Sequence, residues 1–417
     1  MSDAREGRGI TRREVLKAGA GAAAAAGVGF PAVVGRAQAR EIPIGETHPL
    51  TGGLAREGNL GKMGIELAVD EINQAGGIKS LGGARLKLLV LDNESKPPVA
   101  ISTMEKLKDA GVAAVLGPYA SGLAFVTAQE AEKYRIPHVL DVAIADAITE
   151  RGFKYTFRLA PNASMGAKYT VESLQAMVKA AGVSAKRVVL MHEDGIFGKT
   201  TADTLQKLLP AAGFEVVERI PHPASTASLT SDVLRLKSAR ADILIPSTYY
   251  GPHSMLLRTV AEQRVDLQAI LSVYGGAGSQ YRFIADVGKL GEYMMDGNHW
   301  YNPKHPKVKG LIEAFQRRTN QPFAYEWMLA YVSVQVLRDA LERAASTDRD
   351  KLREALAATN LRDQIVPYPI AFDGKGQNEA ARTLVMQVLK AQIAVVHPAE
   401  YAEARAVIPM PKWSERG

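Results

Sequence analysis

Short runs of β-branched residues alternate with longer amphipathic stretches over most of the chain, and this alternation restarts once. Residues 42–45, 86–91 and 138–140 have the pattern of strands, and residues 186–191 open a second series. Apolar side chains recur near the 3.6-residue period of a helix over residues 58–74. Such alternation is typical of parallel βαβ units. The chain is therefore predicted to form two α/β lobes of similar size.

The C-terminal part of the chain contains few further strands. Residues 307–358 are predicted to be mainly helical, and strand-like segments follow at 368–372 and 383–390. Because these strands are too few for a third domain, we expect this part to cross back between the lobes and complete both. The predicted lobes are residues 40–161 plus 298–372 and residues 162–297 plus 373–417.

The first residues of the chain have the pattern of an export signal. Residues 12–13 are both arginine, residues 18–35 are uncharged and rich in Ala and Gly, and residues 37–39 form a small-x-small cleavage motif. We expect a twin-arginine signal peptide over residues 1–39, cleaved after Ala39, and a mature protein in the periplasm. The alternative is an uncleaved membrane anchor, because the apolar run is close to the minimum of about 17 residues for a spanning helix.

The composition excludes several kinds of site and partner. The chain has no cysteine, so disulfides, thiolate metal sites, cysteine nucleophiles and a lipidated cysteine are ruled out. Its net charge is +7, of which residues 1–39 carry +3, and the remaining +4 is spread without a Lys/Arg tract. Nucleic acid is therefore not an expected partner.

The motifs of common enzyme classes are missing from the sequence. It has no Walker loop, no G-x-G-x-x-G after a strand and no G-x-S-x-G elbow. His192 and Glu193 begin like a zinc-binding H-E-x-x-H motif, but Ile196 stands where the second histidine is required. His299 and His305 share no helix or strand face, so they are not predicted to be a metal pair. We therefore expect no enzyme, no cofactor and no metal site.

Several short motifs, taken in order along the chain, carry a family resemblance. They are residues 49–52 (PLTG), 64–73 (GIELAVDEIN), 75–77 (AGG), 117–121 (GPYAS), 151–153 (RGF) and 195–198 (GIFG). With these motifs the chain resembles the Leu/Ile/Val-type solute-binding proteins of ABC transporters, which have the type I periplasmic binding fold. The resemblance covers most of residues 42–300.

The resemblance implies an α/β protein of two lobes, each a parallel-sheet sandwich, joined by a hinge of about three crossovers that closes the lobes on a ligand. It also implies a monomer that delivers its ligand to an ABC permease with ATPase subunits at the inner membrane. Two alternatives share the fold. One is a binding protein that reports its ligand to a membrane regulator, and the other is a urea or short-amide binder of the same family.

Ser121 is the candidate residue for a ligand carboxylate. It follows a predicted strand and opens a predicted helix, so it is expected to be the N-cap. Free N–H groups at a helix N-terminus, with the positive end of the helix dipole, suit an anion. The resemblance assigns the carboxylate to Ser121, with Pro118 and Tyr119 beside it. The alternative is that Ser121 only caps the helix.

The resemblance assigns the ammonium group of an amino-acid ligand to a strand-end loop and to the second lobe. The loop positions are Val142, Ala143 and Ile144, and Ile144 replaces the usual threonine. Phe197 stands where the family commonly has a tyrosine that packs against the ligand. Tyr274 stands near the position of the acidic residue that pairs with the ammonium. Two usual partners of an ammonium group are therefore missing.

This departure leads to a prediction about the ligand. A desolvated ammonium without an acceptor or a counter-charge costs several kcal/mol. We expect a small carboxylate without an α-amino group, such as an aromatic acid or a branched 2-oxo acid. The competing prediction is an aliphatic amino acid whose ammonium is met by Glu57, Asp141 or Asp194.

The positions of three further side chains can also be predicted. Tyr250 follows a predicted strand and is a candidate to line the cleft, with Tyr249 as the alternative. Arg56 is expected to be a solvated loop side chain near the opening of the cleft, and the alternative is that it pairs with a second carboxylate. Tyr325 lies on a predicted helix and is expected to pack in the core or on the surface.

Overall fold

The computed structural model describes residues 41–276 and 278–416. The predicted signal peptide and its cleavage site lie outside the described residues. None of the helices in the described part of the chain is long and apolar enough to cross a membrane.

The described residues form strands throughout both halves of the chain. In chain order they are β1 (Glu41–His48), β2 (Arg85–Asp92), β3 (Val115–Leu116), β4 (His138–Leu140), β5 (Thr156–Arg158), β6 (Arg187–Glu193), β7 (Glu215–His222), β8 (Ile243–Ser247), β9 (Ala269–Val273), β10 (Met295–Asn298), β11 (Asn360–Leu361), β12 (Ile370–Ala371), β13 (Leu384–Leu389) and β14 (Gln392–His397).

Helices follow most of these strands and cover the sheets. In chain order they are α1 (Ala55–Gln74), α2 (Pro97–Asp109), α3 (Ser121–Tyr134), α4 (Ala163–Ala181), α5 (Ile196–Leu208), α6 (Thr230–Ser238), α7 (Tyr250–Glu262), α8 (Tyr281–Val287), α9 (Lys307–Thr319), α10 (Tyr325–Ala344) and α11 (Arg349–Ala357).

The strands form two main sheets. The first sheet has five strands in the order β2-β1-β3-β4-β5, and every pairing in it is parallel. The second has seven strands in the order β14-β13-β10-β9-β8-β6-β7. Its pairings are parallel from β10 to β7, whereas β13 and β14 run antiparallel at one edge. The two α/β lobes predicted from the alternating pattern are therefore present, with an antiparallel edge that the pattern did not predict.

The chain passes repeatedly between the two sheets. It leaves the first sheet after β5, returns after β10 to form α9, α10 and α11, and leaves again after β12 to form β13. These passages agree with the expected hinge of crossovers. The residue boundaries given above for the two lobes stay a prediction.

A close helix pair brings the C-terminal helices onto the first sheet. Helix α1 buries Leu60, Ile65 and Ala68 in the same apolar core as Trp327 and Leu329 of α10. The two helices approach closely at Gly64, where an added Cβ would overlap the backbone carbonyl of Trp327. Because glycine has no side chain, the backbones of α1 and α10 can approach this closely.

Candidate functional site

A cavity lies at the carboxyl ends of strands from both sheets, where open α/β sheets bind ligands. It encloses about 290 Å³ free of protein atoms, including the part open to solvent. Its lining residues are Tyr119, Ala120, Ser121, Val142, Ala143, Ile144, Phe197, Tyr249, Tyr274, Asn298, His299 and Tyr325. None of these side chains carries a formal charge at neutral pH, because burial lowers the pKa of His299 to about 3.

Ser121 lies in the cavity, but it is not the N-cap that the sequence predicted. Ala120 is the N-cap of α3 because its backbone is extended, with φ −90° and ψ 143°, and Ser121 is the first helical residue. The Ser121 hydroxyl instead accepts hydrogen bonds from the N–H groups of Ile144 (3.2 Å) and Ala145 (3.1 Å). Since its oxygen is held by these two donors, its own proton is available to a group in the cavity.

A buried cluster of Asp141, His48 and Glu46 holds the loop that carries Val142. Asp141 accepts a hydrogen bond from the Val142 N–H (2.7 Å), and its other oxygen lies 3.0 Å from Nε2 of His48. Nδ1 of His48 lies 3.0 Å from Glu46. Burial alone would lower the pKa of His48, but Asp141 and Glu46 raise it to about 10. His48 is therefore protonated at neutral pH and compensates the negative charge of Asp141.

Aromatic rings form much of the cavity wall. The ring centroids of Phe197 and Tyr249 are 5.0 Å apart, and those of Tyr249 and Tyr119 are 6.4 Å apart. The hydroxyl oxygens of Tyr119 and Tyr325 are 3.3 Å apart. These rings favour the apolar body of a ligand, as is typical of small-molecule sites.

Tyr274 contributes its ring to the cavity and directs its hydroxyl elsewhere. The hydroxyl donates a hydrogen bond to the carbonyl oxygen of Asn162 (3.0 Å), beside the first crossover. Its ring packs against Gly166 of α4, where an added Cβ would overlap the hydroxyl and the ring. Tyr274 has a positive φ of 54°, which is uncommon for a residue with a side chain. Tyr274 therefore lines the cavity with its ring, while its hydroxyl is bonded to the backbone of Asn162.

A buried carboxyl group holds the segment that follows Tyr274. Asp296 of β10 accepts hydrogen bonds from Ser272 (2.5 Å), Ser279 (2.7 Å) and Asn298 (3.0 Å). Burial raises the pKa of Asp296 to about 6, although these three donors lower it. The Asn298 side chain also accepts from the backbone N–H of His299 (2.7 Å). Asp296 and Asn298 therefore position His299 at the cavity wall.

His299 is fully buried between two aromatic rings of the wall. Its ring centroid lies 4.9 Å from that of Tyr274 and 5.5 Å from that of Tyr325. Both of its ring nitrogens lack a hydrogen-bond partner among the described residues.

Residues from both lobes also meet in a polar group beside the cavity, here called the interlobe cluster: Arg56, Glu57, Tyr250, Gln280 and Glu326. The Arg56 guanidinium lies 4.1 Å from the centre of the Tyr250 ring and lies 3.3 Å from Glu57. It also donates a hydrogen bond to Gln280, which in turn donates one to Glu326 (2.6 Å).

Comparison with known proteins identifies the family. Residues 41–392 match the sequence model of the family described as periplasmic binding protein. The chain belongs to this family. A relative from Brucella abortus (strain 2308), named Leu/Ile/Val-binding protein homolog 8, is 28% identical over 396 residues, which are 92% of this chain and 96% of the relative. The resemblance stated from the sequence motifs is therefore confirmed.

Solved structures of periplasmic binding proteins have the same fold. A leucine-binding protein, LivK, from Thermotoga maritima superposes with a TM-score of 0.74 at 23% identity, covering 85% of this chain and 97% of that one. A solute-binding protein of an ABC transporter from R. palustris, in complex with benzoate, gives a TM-score of 0.73 at 19% identity, covering 89% and 99%. The predicted two-lobed type I periplasmic binding fold is confirmed.

The structure brings most of the predicted site residues of this periplasmic binding protein together. Besides Ser121, the predicted residues that line the cavity are Tyr119, Val142, Ala143, Ile144, Phe197 and Tyr274. Pro118, Glu57 and Tyr250 are not among its described lining residues.

Two of these placements have a clear physical reason. The backbone of Tyr249 is extended at the start of α7, and its ring reaches the cavity, whereas Tyr250 is the first helical residue and its hydroxyl donates to Asp286 (2.8 Å). Glu57 is buried against Arg56 instead. The choice of Tyr250 over Tyr249 as a lining residue was wrong.

The expectation for Arg56 was also wrong, whereas Tyr325 packs in the apolar core as expected and in addition lines the cavity. Arg56 belongs to α1, and its side chain is only 34% exposed because it packs on Tyr250. Tyr325 lines the cavity because the close contact of α1 with α10 brings the start of α10 to the cleft. The backbone of Ala324 is extended, so Tyr325 is the first residue of α10, and its hydroxyl lies against that of Tyr119 in the cavity wall.

Proposed function

We propose that this periplasmic binding protein captures a small carboxylic acid without an α-amino group between its two lobes and delivers it to the permease of an ABC importer. One observation carries the proposal: the lining combines the N-terminus of α3 and the Ser121 hydroxyl with side chains that bear no charge. Such a lining suits an anion with an apolar body.

The N-terminus of α3 supports the placement of the carboxylate. Ala120 is the N-cap and provides no side-chain hydrogen bond to the first N–H groups of the helix. The Ser121 hydroxyl lies beside them and has a proton to donate. A carboxylate bound there would receive hydrogen bonds from backbone and hydroxyl and would lie at the positive end of the helix dipole.

The acidic side chains near the cavity do not favour an ammonium group. Asp141 is compensated by protonated His48 and bonded to the loop backbone. Glu57 is paired with Arg56, and Asp194 is exposed and is not among the described lining residues. Binding an ammonium in this cavity would therefore leave a charge without its counter-charge, which costs several kcal/mol.

The fold by itself is compatible with either class of ligand. The protein from Thermotoga maritima is named as a leucine-binding protein, and the one from R. palustris was solved with benzoate. The uncharged aromatic lining of this chain favours an amine-free acid over an amino acid.

Matched pairs of ligands test the proposal on the purified protein. Leucine and 4-methyl-2-oxopentanoate share a carbon skeleton, as do phenylalanine and phenylpyruvate, so each pair differs only in the amine. Titration calorimetry should give at least about tenfold tighter binding for the amine-free member of one pair, or measurable binding of benzoate with none of leucine, since tenfold corresponds to about 1.4 kcal/mol. Tighter binding of the amino acids would overturn the proposed ligand class.

Ser121→Ala tests the position of the carboxylate. It should weaken binding of the acids by about 1–3 kcal/mol, the usual effect of leaving a charged partner short of a hydrogen bond. Ser333→Ala is the matched control because Ser333 is also buried, but its hydroxyl donates to Ala330 within α10. An unchanged dissociation constant in Ser121→Ala, with an unchanged melting temperature, would remove Ser121 from the site.

A further inference from the structure

His299 is a polar side chain of the cavity wall that the proposed carboxylate site does not use. It is 1% exposed and lines the cavity, and neither Nδ1 nor Nε2 has a hydrogen-bond partner in the described structure. Buried polar groups in native proteins are nearly always hydrogen-bonded, and each exception calls for an explanation. A partner supplied by the ligand is such an explanation.

The surroundings of His299 hold its ring firmly. The rings of Tyr274 and Tyr325 flank it, and the Asn298 side chain accepts from its backbone N–H. The hydroxyl of Tyr274 donates to Asn162, and the hydroxyl of Tyr325 lies against that of Tyr119. Because these neighbours are engaged with other protein groups, they do not satisfy the imidazole.

The charge state of His299 restricts its partner. Burial lowers its pKa to about 3, although Asp141 acts to raise it, so the ring is neutral at physiological pH. A neutral imidazole has one N–H donor and one nitrogen acceptor. A hydroxyl group both donates and accepts, so it can pair with either nitrogen, whereas a ketone can pair only with the N–H.

We propose that His299 determines specificity by hydrogen-bonding a hydroxyl group of the ligand, so that the ligand is a hydroxylated acid with an aromatic body. The carboxylate binds at Ser121, the body packs among Phe197, Tyr249 and Tyr119, and the hydroxyl meets His299. This inference rests on the proposed function, since it assumes an amine-free acid in the cavity.

The test uses acids with and without a ring hydroxyl. The probes are benzoate with its 3- and 4-hydroxy derivatives, phenylacetate with 4-hydroxyphenylacetate, and cinnamate with 4-hydroxycinnamate. In the wild-type protein, at least one hydroxylated acid should bind about tenfold or more tightly than its parent. A site built to hydrogen-bond a hydroxyl rejects the analogue that lacks it, because the buried polar group is then left unpaired.

Two variants assign the preference to the imidazole. His299→Phe keeps a flat ring between Tyr274 and Tyr325 and removes both nitrogens, so the ratio between hydroxylated and parent acid should fall to about one. His299→Gln retains a donor and an acceptor and should recover part of the ratio. Nitrogen-15 spectra of labelled histidine in the wild-type protein should shift one ring nitrogen of His299 when the hydroxylated acid binds, with His299→Gln used for assignment.

The outcomes separate this inference from the proposed function. If parent acids bind as tightly as every hydroxylated one in the wild-type protein, or if a folded His299→Phe keeps the ratio, the role of His299 is refuted and the carboxylate proposal stands. If no acid of the panel binds and leucine does, the proposed function itself is wrong. If His299→Phe does not fold, the wild-type ratio and the histidine spectra still decide the question.

Discussion

The cavity and the interlobe cluster lie side by side but differ in charge. The cavity lining has no side chain charged at neutral pH, whereas the cluster combines the charged Arg56 with the buried acids Glu57 and Glu326. Uncharged walls distinguish ligands by shape and hydrogen bonds. None of the cluster residues is among the described lining residues, and their contacts instead join the two lobes, so we expect the cluster to affect how the lobes close.

The connections of the cluster explain this division. Arg56 belongs to α1 and Glu326 to α10, both over the first sheet. Tyr250 begins α7 and Gln280 precedes α8, both over the second sheet. Arg56 stacks on Tyr250 and donates to Gln280, and Gln280 donates to Glu326. We therefore expect changes in the cluster to alter affinity for all ligands together, and changes in the lining to alter the preference between them.

The largest expected effect concerns the pH dependence of the unfolding free energy, to which Glu326 contributes. Burial raises the pKa of Glu326 to about 8; Arg56 lowers it and Glu57 raises it. The folded protein therefore keeps a proton that the unfolded chain loses near its ordinary pKa of 4.5. The resulting stabilisation is complete below that pH and is lost as the pH rises toward 8, on the order of a few kcal/mol.

Glu326→Gln removes this titration and preserves an oxygen for Gln280. Chemical denaturation at a series of pH values between 4.5 and 8 should show a clearly flatter loss of stability in the variant than in the wild type. Glu313→Gln on α9 is the control because its side chain is 51% exposed. A wild-type slope retained in Glu326→Gln would mean that the proton is not held by this carboxyl group.

A smaller effect is expected from filling the space beside Tyr274. Gly166→Ala adds a Cβ that overlaps the Tyr274 hydroxyl and ring, so the ring must move and its bond to Asn162 must lengthen. We expect a loss of about 1–3 kcal/mol in unfolding free energy, with altered relative affinities for the acids. Denaturation and calorimetry on the same preparation measure both.

The control for this change is another glycine on a helix. Gly310 lies exposed on α9 with no atom near an added Cβ, so Gly310→Ala should stabilise the protein by about 0.5–1 kcal/mol through helix propensity. If Gly166→Ala behaves like Gly310→Ala, Tyr274 is not held in the way described above.

Local sequence patterns predicted much of the fold, and the failures have physical causes. The apolar period placed α1 at residues 58–74, and the structure gives Ala55–Gln74. Helix α4 was not predicted, although Asn162 caps it by accepting from the Met165 N–H (2.8 Å) and Gly182 ends it with a φ of 69°. Those two signals would have located it. Strand β10 was missed because its Asp-Gly-Asn sequence lacks β-branched residues.

The cavity residues also divide into those that local sequence patterns could place and those that they could not. Ser121 and Ile144 follow strands of one sheet, so their proximity could be inferred from neighbouring segments of the chain. His299 and Tyr325 reach the cavity through a crossover and through the contact of α10 with α1, and neither depends on local periodicity. The spacing of His299 and His305 was tested only against metal ligation, so no local pattern assigned His299 to the ligand.

The smallest effect, and the sharpest test of the division between lining and cluster, is expected from Arg56→Ala. It removes the stacking on Tyr250 and the hydrogen bond to Gln280, both of which cross between the lobes. Because half-exposed polar contacts contribute on the order of 1 kcal/mol, every acid should bind about three- to tenfold more weakly while the ratios between acids stay constant. Arg317→Ala on α9, where the side chain is 72% exposed, should leave all affinities unchanged. Altered ratios in Arg56→Ala would mean that the interlobe cluster also contacts the ligand, and that the uncharged lining is not by itself the source of selectivity.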